Sequence, residues 1–277
     1  MPEHRRRLFC EISPTCYAIS MRKERCKRHL QNLLSKEKFA RTRQTDKLPN
    51  VVSSHSGYLI KKGKDIDPVL QENKAINIDL ACRQINGIVI HPGEVFSFWK
   101  AVGSDSRRKG YRDGRIIEQN RITSGTGGGL CNLSNTIHLL VLHSPLQVTE
   151  IHYHSDALAP DEGKRVPFSA GTSVCYNHID FRFRNTTDQD VQLVLWVADQ
   201  TLYAELRSQR PFPWRYELVE EGHHFRQENG KYYRVSKIYR RVFDRNTGAG
   251  LEKELIRDNH SEVMFDYDLI PKEQIRV

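Results

Sequence analysis

A run of three glycines, Gly127–Gly129, stands directly before Cys131 in the stretch TSGTGGGLCNLSNTIHLL, residues 123–140. Glycine has no Cβ, so each of these positions gives up side-chain packing and loses much backbone entropy on folding. A chain retains such a run where the backbone needs a positive φ or where another group approaches it closely. Apolar residues recur at helical spacing after the glycines. The sequence therefore predicts a buried helix with Cys131 in its first turn.

The predicted position of Cys131 favours a reactive thiol. Free backbone N–H groups and the helix dipole at a helix start stabilise a thiolate and lower the pKa of the cysteine. The same N–H groups are able to hold the oxyanion of an acyl-transfer intermediate. These properties predict Cys131 as a nucleophile and Gly127–Gly129 as the floor of an acyl site. A cysteine near a helix start also commonly serves as a small apolar side chain, and that alternative stays open.

A histidine base follows in the segment EIHYHS, residues 150–155. His152 and His154 occupy alternate positions of a predicted strand and project from one face. Asp180, on the polar face of the next predicted strand, is the candidate that orients the imidazole. Histidines at this spacing are also common surface residues. A zinc site made of Cys131, His152 and His154 has suitable ligand types but no recognised spacing, so we expect no metal and no cofactor.

The distribution of charge limits the partners of the chain. The net charge is +9 and the pI about 9.3, with much of the basic excess in residues 1–45. Such a segment suits an anionic membrane surface, whereas specific nucleic-acid binding is not expected without stacking aromatic residues or zinc-ligand spacing. No apolar run reaches the roughly 18 residues of a spanning helix, and the N-terminus makes a poor secretory signal. We expect a cytoplasmic protein, peripheral at the inner membrane face.

The remaining pattern predicts the fold class. Residues 22–45 place one apolar stripe among many charges, which predicts an amphipathic helix packed on the main body. Residues 71–87 predict a second helix. After the Cys131 helix, alternating segments and turn pairs such as Asp199-Gln200 predict antiparallel strands. The sequence therefore predicts an α+β fold, mainly antiparallel sheet, with a helical N-terminus, a buried helix that begins at the Gly-rich/Cys motif and a β-rich C-terminal tail.

An ordered set of motifs resembles the VanW family. The motifs are NGIVIHPGEVFSFWKAVG (86–103), KGYRDG (109–114), GTGGGLCNLSNT (125–136), EIHYHS (150–155) and IDFRFRNTT (179–187). The resemblance implies a family domain over residues 55–210, preceded by a basic helical segment, 1–50, and followed by a β-rich extension, 211–277. The chain departs from the usual pattern at Asn132, Asn135 and Ile151, where glutamine, threonine and arginine are common.

The resemblance implies an accessory role in vancomycin resistance. Related exported domains are associated with L,D-transpeptidase activity, which proceeds through an acyl-cysteine intermediate on peptidoglycan peptides. Such chemistry implies Cys131 as nucleophile and His154, the histidine aligned with the family motif, as base, with Asp180 as orienting group. The implied substrate-binding residues are Gly127, Gly128, Gly129, Asn132, Ser134 and His152.

Two functions therefore remain open from the sequence. The first is a cysteine-dependent acyl transferase that acts on a peptidoglycan stem peptide or precursor. The second is a non-enzymatic accessory module whose Gly-rich loop binds a cell-wall precursor or another resistance protein. The acidity of the thiol distinguishes them, because an enzyme needs a cysteine of low pKa and a binding protein does not.

Overall fold

A computed structural model of the chain describes residues 8–61, 67–118, 121–154, 156–157, 160 and 171–276. Ser155 of the EIHYHS motif and the first basic run, residues 4–7, lie outside the described residues. The described helices are α1 Pro14–Leu34, α2 Pro68–Ile85, α3 Phe98–Val102 and α4 Leu130–Leu142. The described strands are β1 Asn50–Tyr58, β2 Val89–Ile90, β3 Val95–Ser97, β4 Asp113–Glu118, β5 Arg121–Thr126, β6 Gln147–Glu150, β7 Asp156–Ala157, β8 Arg182–Arg184, β9 Val191–Ala198, β10 Thr201–Ser208, β11 Trp214–Glu228, β12 Lys231–Asp244, β13 Gly250–Val263 and β14 Ile275–Arg276.

These strands form sheets of order β1-β10-β9-β2, β14-β11-β12-β13-β7, β3-β8-β6 and β4-β5. Apart from the short pairs β11–β14 and β13–β7, which are parallel, the pairing is antiparallel. The predicted α+β class with mainly antiparallel sheet is confirmed. The predicted hairpin through Asp199 and Gln200 is also confirmed, and both residues adopt positive φ angles, as the tight turn between β9 and β10 requires.

Helix α4 lies at the centre of the molecule. Every residue from Leu133 to Leu142 is buried, and a helix enclosed on all sides belongs to a core and not to a surface. It contacts α2 and the sheet that contains β1 and β10. On another side, Leu139 and Leu142 pack against Ile238 of β12. The long C-terminal strands are thus joined to the main core through the second half of α4.

The N-terminal helix differs from the prediction. It spans Pro14–Leu34 instead of 22–45, because the Ser13 side chain accepts a hydrogen bond from the Cys16 N–H and Pro14 occupies the first turn. Beyond it the chain is extended along the body, where the Ala40 N–H donates to the Val95 carbonyl. The apolar stripe was expected to pack on the body, and that prediction is wrong, since no residue of α1 is buried.

No helix in the part of the chain that the structure describes has the length and apolar character needed to span a membrane.

Candidate functional site

The glycine run makes the turn between β5 and α4. Gly127 and Gly129 have φ angles of +79° and +105°, a region that residues with a Cβ rarely adopt. Gly129 caps the helix, which begins at Leu130, so Cys131 lies in the first turn as predicted. The Gly127 N–H donates to the Arg112 carbonyl at 3.0 Å, which fixes the turn against the segment that enters β4.

The space beside each glycine is filled by the protein itself. A Cβ on Gly128 would lie 2.2 Å from the carbonyl carbon of Gly114, and one on Gly127 would lie 2.6 Å from a carboxylate oxygen of Asp105. A Cβ on Gly129 would meet the Lys74 side chain at 2.4 Å. The absence of side chains at these positions is therefore explained by close contacts within the fold. Gly114 belongs to the KGYRDG motif, so the two glycine-containing motifs meet in space.

Asn77 of α2 holds this junction together. Its side chain accepts a hydrogen bond from the Arg112 N–H at 2.8 Å and donates to the Arg112 carbonyl and to the Gly128 carbonyl, each at 2.9 Å. Asn77 is fully buried. One side chain thus bonds to three backbone groups of the two glycine-containing segments. Asn77 could not be predicted from the sequence, because a lone asparagine within a helix belongs to no motif.

The Cys131 thiol is enclosed by a distant segment of the chain. Its Sγ donates to the Val174 carbonyl at 3.6 Å and accepts from the Val174 N–H at 3.5 Å. Although the residue retains some exposed surface, burial of the thiol raises its pKa, and the hydrogen bonds from backbone N–H groups oppose that rise only in part. The predicted lowering of the thiol pKa is therefore wrong: burial outweighs the helix start.

The two histidine candidates lie beyond β6, on either side of Tyr153, which forms an isolated antiparallel bridge with Thr172. Strand β6 ends at Glu150, and the chain then pairs with another segment, where the His154 N–H donates to the Gly171 carbonyl and the His152 carbonyl accepts from the Ser173 N–H. His152 is exposed and its Nε2 lies 3.2 Å from Glu150. His154 is half-buried, and burial lowers its pKa while Asp156 opposes that effect. Among the described residues, the hydrogen bonds of Cys131 involve neither histidine.

Asp180 stabilises the fold through the hydrogen bonds of its side chain. Its carboxylate accepts hydrogen bonds from the Ser97 hydroxyl at 2.6 Å, from the Arg182 Nε at 2.7 Å and from the backbone N–H groups of Trp99 and Phe181. These contacts fix the start of α3 and the entry to β8. The carboxylate is not hydrogen-bonded to His154 in the described part of the chain, and the carboxylate that influences the pKa of His154 is that of Asp156.

A polar stripe on α4 binds the segment that covers Cys131. The Asn135 side-chain oxygen accepts hydrogen bonds from the Gly171 and Thr172 N–H groups, and His138 Nδ1 lies 3.2 Å from the Thr172 hydroxyl. Asn135 and His138 follow Cys131 at helical spacing on the same face. This stripe was missed in the sequence, where Asn135 stood out only as a departure from the usual threonine.

The two remaining predicted substrate-binding residues have opposite environments. Asn132 is exposed beside the helix start, whereas Ser134 is fully buried and its hydroxyl has no hydrogen-bond partner among the described residues. Within the same described ranges, no group of three or more His, Cys, Asp and Glu side chains has the arrangement of a metal site.

The opposite end of α4 borders a cleft of about 380 Å³. It lies between β1, the end of α4 and the start of β11, and its volume is in the range of small-molecule sites. Its lining combines apolar, aromatic and basic side chains. The lining residues are Val52, Ser53, Ser54, His55, Leu139, Leu140, His143, Trp214, Arg215, Tyr216, Leu218 and Arg245.

The charges that line this cleft are all basic. The guanidinium of Arg245 donates to the Trp214 carbonyl at 3.5 Å and forms no ion pair with a described carboxylate. Arg215 contacts the carboxylate of Glu217, outside the lining, and stacks on the Phe243 ring. Burial and the neighbouring His143 both lower the pKa of His55. The cleft thus has the electrostatic character of a site for an anion.

Comparison with known proteins assigns the middle of the chain to a protein family. Residues 73–207 match the family described as VanW like protein. Residues 73–207 form a VanW-family domain. The VanW match includes the glycine turn, Cys131 and His154, and it ends before β11. The C-terminal strands that complete the cleft therefore lie outside the matched VanW region.

Two relatives of the VanW domain extend the comparison. The vancomycin B-type resistance protein VanW of Enterococcus faecalis (strain ATCC 700802 / V583) is 26% identical over 227 residues, which are 82% of each chain. The uncharacterized protein YoaR of Bacillus subtilis (strain 168) is 32% identical over 120 residues, which are 43% of this chain and 38% of YoaR. No solved structure matches this chain.

Proposed function

We propose that this protein is a non-catalytic accessory protein of glycopeptide resistance. The resistance role is carried over from the relative named vancomycin B-type resistance protein VanW, which aligns with 82% of this chain. The observation that supports a non-catalytic role is the state of Cys131. Its thiol bonds to both backbone groups of Val174, and burial raises its pKa.

An acyl transferase needs a different cysteine. A nucleophilic thiol has to be ionised near neutral pH and must lie within reach of a base. Catalysis at Cys131 would require the release of Val174 from the sulfur and the approach of His154, whose backbone is itself paired with Gly171. A binding protein requires neither change, so the geometry favours the accessory function over the cysteine-dependent acyl transferase.

The cleft at the far end of α4 supports a ligand for this accessory role. A peptidoglycan stem peptide or precursor ends in a carboxylate and carries small apolar side chains. Arg245 offers a charge-assisted hydrogen bond to a carboxylate, the rings of His55 and His143 add polar contacts, and Trp214 and the leucine side chains offer apolar contact. We propose that the cleft binds the C-terminal carboxylate of such a peptide.

The test of the accessory role is Cys131→Ser in cells whose glycopeptide resistance depends on this protein. Serine retains a donor and an acceptor for Val174 but removes the thiolate. The expected result is unchanged resistance at an unchanged protein level. Loss of resistance with a folded, normally abundant variant would support the acyl transferase instead.

The test of the ligand uses the purified chain and a cell-wall stem peptide. Calorimetric titration should show binding of the peptide with a free C-terminal carboxylate. Its C-terminal amide should bind at least about tenfold more weakly, since a charge-assisted hydrogen bond contributes about 1.5–3 kcal/mol. Arg245→Gln should lower the affinity for the peptide acid and leave the affinity for the amide unchanged. Arg210→Gln, outside the cleft, should change neither affinity. Equal affinity for acid and amide would contradict the proposal.

A further inference from the structure

Helix α1 presents a stripe of apolar residues to solvent. Ile19, Leu30 and Leu33 are 54%, 58% and 79% exposed. Together with the exposed Cys26 they recur at spacings of seven, four and three residues, which places them on one face of a helix. The preceding turn adds further exposed apolar side chains. These are Leu8, Phe9 and Ile12.

The face of α1 that contacts the body is polar. Arg28 forms a two-pronged ion pair with Glu150, with N–O distances of 2.8 and 2.5 Å. Asn32 accepts a hydrogen bond from Arg182 at 2.7 Å, and the guanidinium of Arg25 lies over the Tyr176 ring. The usual arrangement of an amphipathic surface helix is therefore reversed, because polar contacts dock the helix and its apolar stripe faces outward.

Basic side chains flank this outward stripe. Arg22, Lys23 and Lys27 are exposed, and the helix contains a single carboxylate, that of Glu24, which is only half-exposed. An apolar stripe bordered by cations is the pattern of helices that lie in the interface of anionic membranes. A second copy of this chain would bring like charges together along the stripe, which disfavours a symmetric helix pair.

We infer that the exposed face of α1 binds an anionic membrane surface, with Ile19, Leu30 and Leu33 inserted between the headgroups and the basic side chains on the phosphates. The body then stays attached to the membrane through the polar contacts of Arg28 and Asn32. This inference goes beyond the accessory role and does not depend on a ligand in the cleft.

Vesicle binding by the full chain tests this surface. Flotation with vesicles of phosphatidylglycerol and phosphatidylcholine should recover the wild-type protein, and vesicles of phosphatidylcholine alone should recover much less. The variant Leu30→Ser/Leu33→Ser should bind about tenfold less or weaker, because each exposed leucine contributes apolar area at about 25 cal/mol per Å². A matched control is Leu251→Ser/Leu255→Ser, which removes two exposed leucines of β13 and should bind like the wild type.

A probe on Cys26 separates insertion from electrostatic adsorption. Cys26 is the exposed cysteine, and the other five are buried or half-buried. A bimane label there should shift to shorter wavelength on anionic vesicles and keep that shift in the control variant. Equal vesicle binding by wild type and Leu30→Ser/Leu33→Ser, or an unshifted label on bound protein, would overturn the inference. Dimerisation that the same substitutions abolish, without vesicle binding, would assign the stripe to a second copy instead.

Discussion

The α-carbon of Gly128 faces the backbone of Gly114 so closely that a methyl group on it would lie 2.2 Å from the Gly114 carbonyl carbon. The contact joins the turn before α4 to the start of β4, and Asn77 bonds to the Gly128 carbonyl from the other side. Neither backbone segment has room to retreat without breaking the Asn77 hydrogen bonds. The glycine run therefore allows two backbone segments to pack closely. The sequence predicted a close approach at these glycines but not which group approaches.

Gly128→Ala should destabilise the fold by at least about 3 kcal/mol, since the new methyl group overlaps backbone and not a flexible side chain. The measurement is chemical denaturation of the purified protein. Gly250→Ala is the control, because its methyl group would meet only the Phe243 ring at 3.8 Å, and it should change the free energy of unfolding by less than about 1 kcal/mol. Similar stability of the two variants would contradict the close contact.

The sequence predicted α4 because its signals are local. Glycines with positive φ, an apolar period and a helix start all lie within residues 123–140, and the structure has the helix there. The pKa of Cys131 was not predictable in this way. Val174, which encloses the thiol, lies 43 residues further along the chain, and the contact depends on the hydrogen bonds between α4 and the segment 171–174.

Asp180→Asn should lower stability by about 2–4 kcal/mol, because a buried carboxylate that accepts four hydrogen bonds becomes an amide opposite Arg182. The titration of His154, followed by NMR, should not move. A clear shift in the pKa of His154 with little loss of stability would instead support Asp180 as the group that orients a catalytic histidine.

His138 should make the protein sensitive to acid. Burial lowers its pKa from 6.5 to about 3, so between these values the unfolded chain takes up a proton that the folded chain does not. The contribution of neutral His138 to the free energy of unfolding is fully present above pH 6.5. It falls by up to about 1.4 kcal/mol for each pH unit below that value. His138→Gln should flatten the pH dependence of the unfolding free energy between pH 6 and pH 4. An unchanged slope would contradict a buried, neutral His138.

The orientation of α1, like the pKa of Cys131, depends on contacts with residues far along the chain. The sequence showed an apolar stripe among charges, and periodicity alone suggests that such a stripe packs inward. The orientation is decided by partners far along the chain, since Glu150 lies 122 residues from Arg28. The surroundings of His152 and His154 likewise depend on a distant contact, because the segment after β6 pairs with residues 171–173.

Ligand binding in the cleft should strengthen as the pH falls. His55 has a lowered pKa in the free protein, so it is mainly neutral at pH 7, and a bound carboxylate favours its protonated form. The affinity for a stem peptide, measured by calorimetry, should therefore rise between pH 7.5 and pH 5.5. His55→Gln should reduce that rise and leave the affinity at pH 7.5 nearly unchanged. Binding that does not vary with pH would exclude His55 from the site.

The rate of Cys131 alkylation by iodoacetamide as a function of pH tests directly whether this thiol is unreactive, and it is followed by mass spectrometry of the peptide that contains Cys131. A thiol held by Val174 with a raised pKa should react much more slowly than the exposed Cys26 at pH 7 and should show no ionisation step below pH 9. Unfolding the protein should remove the difference between the two cysteines. Rapid alkylation of Cys131 in the folded protein, with an ionisation step near or below pH 7, would contradict the account and identify an activated nucleophile.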